Sequence, residues 1–166
     1  MLDKTDLRII SLLQEDGDLS ISNLADLLGM TAPPCWRRVK ALKDKGVLKR
    51  KVWEVDPHEI DLHVCIFATV KLAAHDLSAT SAFRDEVQKI PEILECYILL
   101  GGIDVLLKVM TPDIEYYETF FYERLSQLPA VREVTSSVVM SEVKKMHALP
   151  LLGARPKGSK ASAVAG

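Results

Sequence analysis

Between Thr31 and Trp53 the chain carries eight bases, Arg37, Arg38, Lys40, Lys43, Lys45, Lys49, Arg50 and Lys51, against one acid, Asp44. Cations at that density neutralise phosphates, and the arginine fork can also pair with the edges of bases. On a helical wheel of about 100° per residue, Pro33, Arg37 and Lys40, with Trp36 near the edge, face away from Cys35, Val39 and Leu42. One face is basic and the other apolar, so the expected chemistry is contact with nucleic acid. Trp36 suits two roles, stacking on a sugar or thymine methyl or covering the flank of the domain. The basic cluster is local, because the whole chain has 21 basic and 23 acidic residues, a formal charge of −2 and a pI near 6.1.

Other chemistries find less support. Cys35, Cys65 and Cys96 lie about thirty residues apart in apolar surroundings, which predicts reduced, buried thiols. His58, His63, His75 and His147 form no ligand pair at helical spacing. No nucleophile, base and acid constellation and no phosphate-cradling glycine loop is legible, so neither catalysis nor a metal or other cofactor is expected. There is no apolar run of membrane-spanning length and no leader pattern, since Asp3, Lys4 and Asp6 interrupt the start at once. A cytoplasmic protein is expected.

The elements that must position these residues follow from caps and periodicity. Thr31 is an N-cap whose hydroxyl is expected to accept a backbone N–H, Pro33 and Pro34 sit in the first turn, and Gly46 ends a helix of about 32–45. Upstream, Ser20 caps a helix with Ile21, Leu24, Ala25 and Leu28 on one face and Gly29 at its end. Only Met30 and Thr31 separate the two, the turn of a helix-turn-helix. Leu2, Ile9, Ile10 and Leu13 stripe an earlier helix that ends near Asp16 and Gly17. After Gly46 the β-branched, alternating and cationic text predicts a short hairpin or wing.

Asp56-Pro57 marks a linker. Beyond it the expected order is strand 64–72, helix 78–89, strand 93–100, strand 105–110, helix 114–127 and strand 131–140. Ile90-Pro91-Glu92-Ile93 and Leu128-Pro129-Ala130-Val131, thirty-eight residues apart, each end a helix, turn on a proline and start a strand. Two βαβ halves give a ferredoxin-like βαββαβ domain, so the fold class is α+β. One sheet face lacks helices of its own and is expected to meet another subunit. The domain plan is a winged helix-turn-helix at 1–54, a linker at 55–62, the ferredoxin-like domain at 63–149 and a disordered tail at 150–166. Arg155, Lys157 and Lys160 in that tail could add weak affinity for DNA.

The whole pattern resembles the Lrp/AsnC (feast/famine) family of transcription regulators. The resemblance rests on Leu2-Asp3 with Asp6, Leu24-Ala25 with Gly29, Pro34 to Val39, Gly101 with Asp104, and Val138 to Lys144. It implies a dimer built through the sheet domain, often assembled into octamers or larger discs, that binds promoter DNA and responds to an amino acid or related small molecule. By similarity the effector site lies between subunits at Gly101, Gly102, Ile103 and Asp104, with Ser137, Val138 and Val139 nearby. Glycines there would bring backbone N–H groups to a ligand carboxylate and Asp104 would hold an ammonium. The same glycines also fit a plain connection between two strands. The chain departs from the family pattern at Ile103, where an aromatic residue is usual, at Arg50-Lys51 in place of Gly-Tyr, and at Ile60-Asp61 in place of Leu-Gly.

The implied mechanism places two recognition helices in successive major grooves about 34 Å apart. Arg37, Lys40 and Trp36 would read or flank bases, with Thr31 and Pro33 at the helix start, while Arg38, Lys43, Lys49, Arg50 and Lys51 would neutralise phosphates. Two alternatives share the layout. One is a tetrapyrrole (sirohaem) decarboxylase-like enzyme, for which His63 and Arg132 are scattered candidates, and the other is an architectural DNA-binding protein without an effector.

Overall fold

Asp3 and Asp6 start the first helix. The Asp6 amide donates to the Asp3 carboxylate at 2.8 Å and the Asp3 amide donates back to Asp6 at 3.2 Å, which satisfies two donors that a helix start leaves orphaned. This helix, α1 (Lys4–Glu15), leads to α2 (Ile21–Leu27), where the Ser20 hydroxyl accepts the Asn23 amide at 3.1 Å. Gly29, with φ of 64°, closes α2 in the left-handed region, and Gly46, with φ of 69°, does the same after α3 (Ala32–Asp44). The apolar faces meet in one core of Ile9, Ile10, Leu24, Ala25, Cys35, Val39 and Leu42. The capping glycines and the i, i+3, i+4 spacings therefore place the three helices where the sequence predicts them.

A computed structural model describes residues 2–73 and 77–151. His75 and the tail residues Arg155, Lys157 and Lys160 lie outside the described residues. The chain divides into two units, one formed by Met1–Trp53 with the stretch from Lys144 onward, the other by Glu54–Val143. In the first unit, the Gln14 amide donates to the Leu149 carbonyl at 3.2 Å and its oxygen accepts the Leu149 amide at 2.7 Å. Leu151 packs against the three-helix core. The stretch just before the expected tail is thus a strap along α1.

The wing departs from expectation. Residues 47–56 form no ladder. Val47 and Leu48 both donate to the Leu42 carbonyl, at 2.9 and 3.2 Å, and Leu48 packs on the core. Nine residues before Asp56-Pro57 leave only about four per strand, and an isolated two-stranded hairpin of that size is marginal. Lys49, Arg50 and Lys51 would also crowd like charges around its turn. The segment is held instead by an ion pair between Lys51 and Asp18.

In the second unit Asp56 opens a 3₁₀ turn (Pro57–Ile60), followed by β1 (Val64–Leu72), α4 (Leu77–Val87), β2 (Ile93–Ile98), β3 (Val105–Thr111), α5 (Ile114–Glu123), a 3₁₀ turn (Leu125–Gln127) and β4 (Val131–Val138). The sheet order is β2-β3-β1-β4, antiparallel throughout, which is the ferredoxin-like arrangement. Period-2 alternation sorts the two faces. Ile66, Ala68, Val70, Val105, Leu107 and Val109 pack under Phe83, Val87, Tyr117 and Phe120 from the helices. The repeated proline turns are both present, Ile93 donating to Ile90 and Val131 to Leu128, each at 3.2 Å. They differ in hand at the third position, because Ala130 has φ of 63° and Glu92 does not.

Arg38 ties α3 to the start of α1. One guanidinium nitrogen donates to Asp3 and to Asp6, both at 2.7 Å. The Asp3 carboxyl is held below its ordinary value, first by the Asp6 amide and then by Arg38. Because the folded value is depressed, this contribution is complete at neutral pH and is lost as the pH falls through that value. Both tryptophans, Trp36 and Trp53, lie in this unit, so their fluorescence reports its unfolding. In urea titrations between pH 7 and pH 3, the wild type should lose midpoint on acidification more steeply than Asp3→Asn, and parallel curves would dissociate Asp3 from the acid sensitivity.

Candidate nucleic-acid interface and ligand turn

Thr31 occupies the N-cap of α3 but its hydroxyl makes no capping bond. The reason is chemical: a cap accepts from the second or third helical N–H, and here those residues are Pro33 and Pro34, which have none. The cap expected of Thr31 is therefore corrected to an exposed hydroxyl at the end of the helix. The prolines fix the backbone of the first turn, and the Cys35 amide reaches the Thr31 carbonyl at 3.4 Å.

The outward face of α3 then reads Pro33, Trp36, Arg37, Lys40 and Lys43, all exposed. Trp36 is 51% exposed, with Lys40 Nζ 5.3 Å from its ring centre. Ile21, Ala32, Pro33, Trp36 and Arg37 line a shallow depression beside it. None of the ion pairs among the described residues involves Arg37, Lys40, Lys43, Lys45, Lys49 or Arg50. Arg38 and Lys51 differ, being committed to Asp3 and Asp6 and to Asp18. The eight bases of the sequence cluster thus divide into internal ties and outward cations. The signal for Arg38 was present in Asp3 and Asp6, three apart at a helix start, but their partner thirty-two residues later was not. Trp53, 79% exposed with Lys51 Nζ 5.7 Å from its ring centre, adds an aromatic to this region that charge counting alone misses.

The second candidate site is the connection between β2 and β3. Leu99 donates to the Asp104 carbonyl at 2.8 Å, and the Asp104 amide donates to Val70 at 3.2 Å. The half-buried Asp104 carboxylate accepts the Leu72 amide through Oδ2 at 2.8 Å, beside the register shift between Lys71 and Leu72. Its first task is thus to hold the turn to the end of β1. Ile103 is half-buried next to it. Gly101 and Gly102 have neither a left-handed φ nor any atom within 4 Å of where a side chain would begin. Nothing within the single chain demands glycine there.

Ser137, Val138 and Val139 sit elsewhere. Ser137 pairs with Phe67, Val138 with Ile66, and Val139 donates to Cys65 at 2.9 Å. Phe67, Ile66 and Cys65 are three to five residues along β1 from Val70, about 10–16 Å at ~3.3 Å per residue. One chain therefore does not bring the two halves of the expected effector site together.

His58 and His63, whose spacing in the sequence offers no helical ligand pair, are brought side by side. The 3₁₀ turn and the left-handed Asp61, with φ of 58°, place their Nδ1 atoms 3.1 Å apart. At that separation one Nδ1 carries the hydrogen and the other accepts it, and the rings lie stacked with centres 5.4 Å apart. A spacing of five residues gives no helical cue for it. His63, a candidate under the enzyme reading, is thus turned toward His58.

Comparison with known proteins assigns a family to each of the two regions. The winged helix-turn-helix DNA-binding family matches residues 2–49, and the Lrp/AsnC ligand binding domain family matches residues 65–149. The DNA-binding transcriptional activator DecR of Escherichia coli K12 is 35% identical over 151 residues, covering 91% of this chain and 99% of that protein. An AsnC family transcriptional regulator from Agrobacterium tumefaciens superposes with a TM-score of 0.85 at 35% identity, covering 90% of this chain and 97% of that one. A transcriptional regulator from Neisseria meningitidis, solved as a complex with L-Met, superposes with a TM-score of 0.89 at 32% identity, covering 93% of this chain and all of that one. With a helix-turn-helix that turns its cations outward and a sheet domain of the ligand-binding type, the chain belongs to the Lrp/AsnC family of transcription regulators.

Proposed function

We propose that this protein is a cytoplasmic, sequence-specific DNA-binding regulator of amino-acid or related metabolism, controlled by a small-molecule effector, an amino acid in character, bound between subunits. The observation that carries the DNA reading is the sorting of charge: Arg37, Lys40 and Lys43 point outward from α3 with no ion pair among the described residues. Arg37, Lys40 and Trp36 read or flank bases, Thr31 and Pro33 approach the groove at the helix start, and Lys43, Lys49 and Arg50 neutralise phosphates. Arg38 and Lys51 act through position, by holding α3 and the segment that follows it in place.

The effector reading rests on the turn. Glycines that the single chain does not require leave room for a ligand carboxylate beside backbone N–H groups. Asp104 Oδ1 takes no hydrogen bond among the described residues and is the group for the ammonium. Separation of the turn from Ser137, Val138 and Val139 along β1 supports a site that a second subunit completes. A homodimer through the open sheet face, assembling to octamers or larger, is the corresponding arrangement. The L-Met held by the meningococcal relative supports an amino acid as the ligand class. The effector acts only through preferring one arrangement of subunits over another.

Fluorescence anisotropy of the full chain against its own upstream DNA and a scrambled duplex, at about 0.15 M salt, tests the reading, with a preference of roughly 10³-fold or more expected. Equal weak binding to both would point to the architectural role instead. Arg37→Ala should cost about 1–3 kcal/mol on the preferred sequence and little on the scrambled one. Lys43→Ala should weaken both alike and lower the salt slope by about one. For the effector, Asp104→Asn keeps an acceptor for the Leu72 amide but removes the charge. It should preserve the melting temperature while weakening amino-acid binding by roughly tenfold or more in calorimetry, and undiminished binding would remove the carboxylate from the site.

A further inference from the structure

We infer that the depression between α2 and α3 is a pocket for the C5-methyl group of a thymine in the major groove, set beside a guanine read by Arg37. The inference rests on the DNA-binding reading and names what the start of α3 recognises.

In a helix-turn-helix the first residues of the recognition helix meet the base edges. Here they are Ala32, Pro33 and Pro34, none of which carries a polar side chain, and the prolines also lack the backbone N–H. Of the three, only Ala32 keeps a backbone N–H, so this turn has a single donor for bases through those positions. It is equally unsuited to the other usual ligand of a helix start, an anion, because two of the donors that would cradle a phosphate are missing. What it offers is apolar surface, with Ile21 from the first turn of α2 opposite Ala32 and Pro33 and the Trp36 ring forming a wall. Lys40 lies over that ring and Arg37 closes the rim. The major-groove edges of the bases carry one apolar substituent, the thymine methyl. The cations around the rim match the phosphates on either side of it, and Arg37, one turn beyond Pro33, is placed for the O6 and N7 acceptors of a neighbouring guanine.

The test uses the full chain and duplexes selected from a random pool. Each selected duplex is remade with deoxyuridine for thymidine, which removes the methyl and leaves every hydrogen-bonding atom in place. One thymine per half-site should lose about fourfold in affinity on this change, and 5-methylcytosine at that position should bind better than cytosine. Ala32→Leu, at an exposed position, fills the depression and should abolish the response to deoxyuridine while the adjacent guanine remains preferred. Selection of specific duplexes that bind equally well with uracil would overturn the pocket and leave the DNA reading standing. Absence of any selected sequence would overturn both.

Discussion

Arg38 ties α3 to the start of α1 beside the apolar core of the DNA-binding unit. Its guanidinium joins two carboxylates that already cap one another across the first turn of α1, so a local feature of one helix becomes the anchor of another thirty residues away. The arrangement fixes the rotation of α3 about its axis. Cys35, Val39 and Leu42 can enter the core only with Arg38 turned toward α1, and in that rotation Arg37 and Lys40 must point out. Adjacent arginines with the same charge thus serve opposite purposes, one inward and structural, the other outward and available.

Most of the fold was legible because it is written locally. Ser20, Gly29, Gly46 and the two X-Pro turns each act within a few residues of themselves, and the alternation of β1 and β3 sorts their faces without knowledge of partners. The misreadings come from interactions that sequence spacing cannot display. Thr31 has the right identity for a cap, but the cap needs donors that its neighbours lack. The wing has strand composition but no strand to pair with. The contact of His58 with His63 is no misreading but a feature on which the spacing is silent, made by a 3₁₀ turn and a left-handed aspartate that fold five residues back on themselves. The bond of Asp104 to Leu72 was not legible, since it depends on register between strands far apart in the chain.

The sheet face that carries no helices is less apolar than the run of its strands suggests. Phe67, Thr69 and Leu106 lie on it beside two cross-strand ion pairs, Lys71 with Glu133 at 3.1 Å and Lys108 with Glu95 at 3.4 Å, and Tyr97 donates to Glu95 at 2.6 Å. Charges satisfied within the chain can enter an interface without being left unpaired, which is the condition under which burial of charge is tolerated. They also add polarity that disfavours arbitrary sheet-to-sheet contacts.

The strap formed by Gln14 and Leu149 means that the DNA-binding unit is not continuous in sequence. Its first fifty-three residues leave the ribosome well before the last strap residues are made, and at about 5–20 residues per second the interval is of the order of ten seconds. Through that time the face of α1 that receives Leu149 and Leu151 is open to water. The nascent three-helix core must therefore stand without its final strand of chain, and the unit is completed only after the entire ligand-binding domain has been translated.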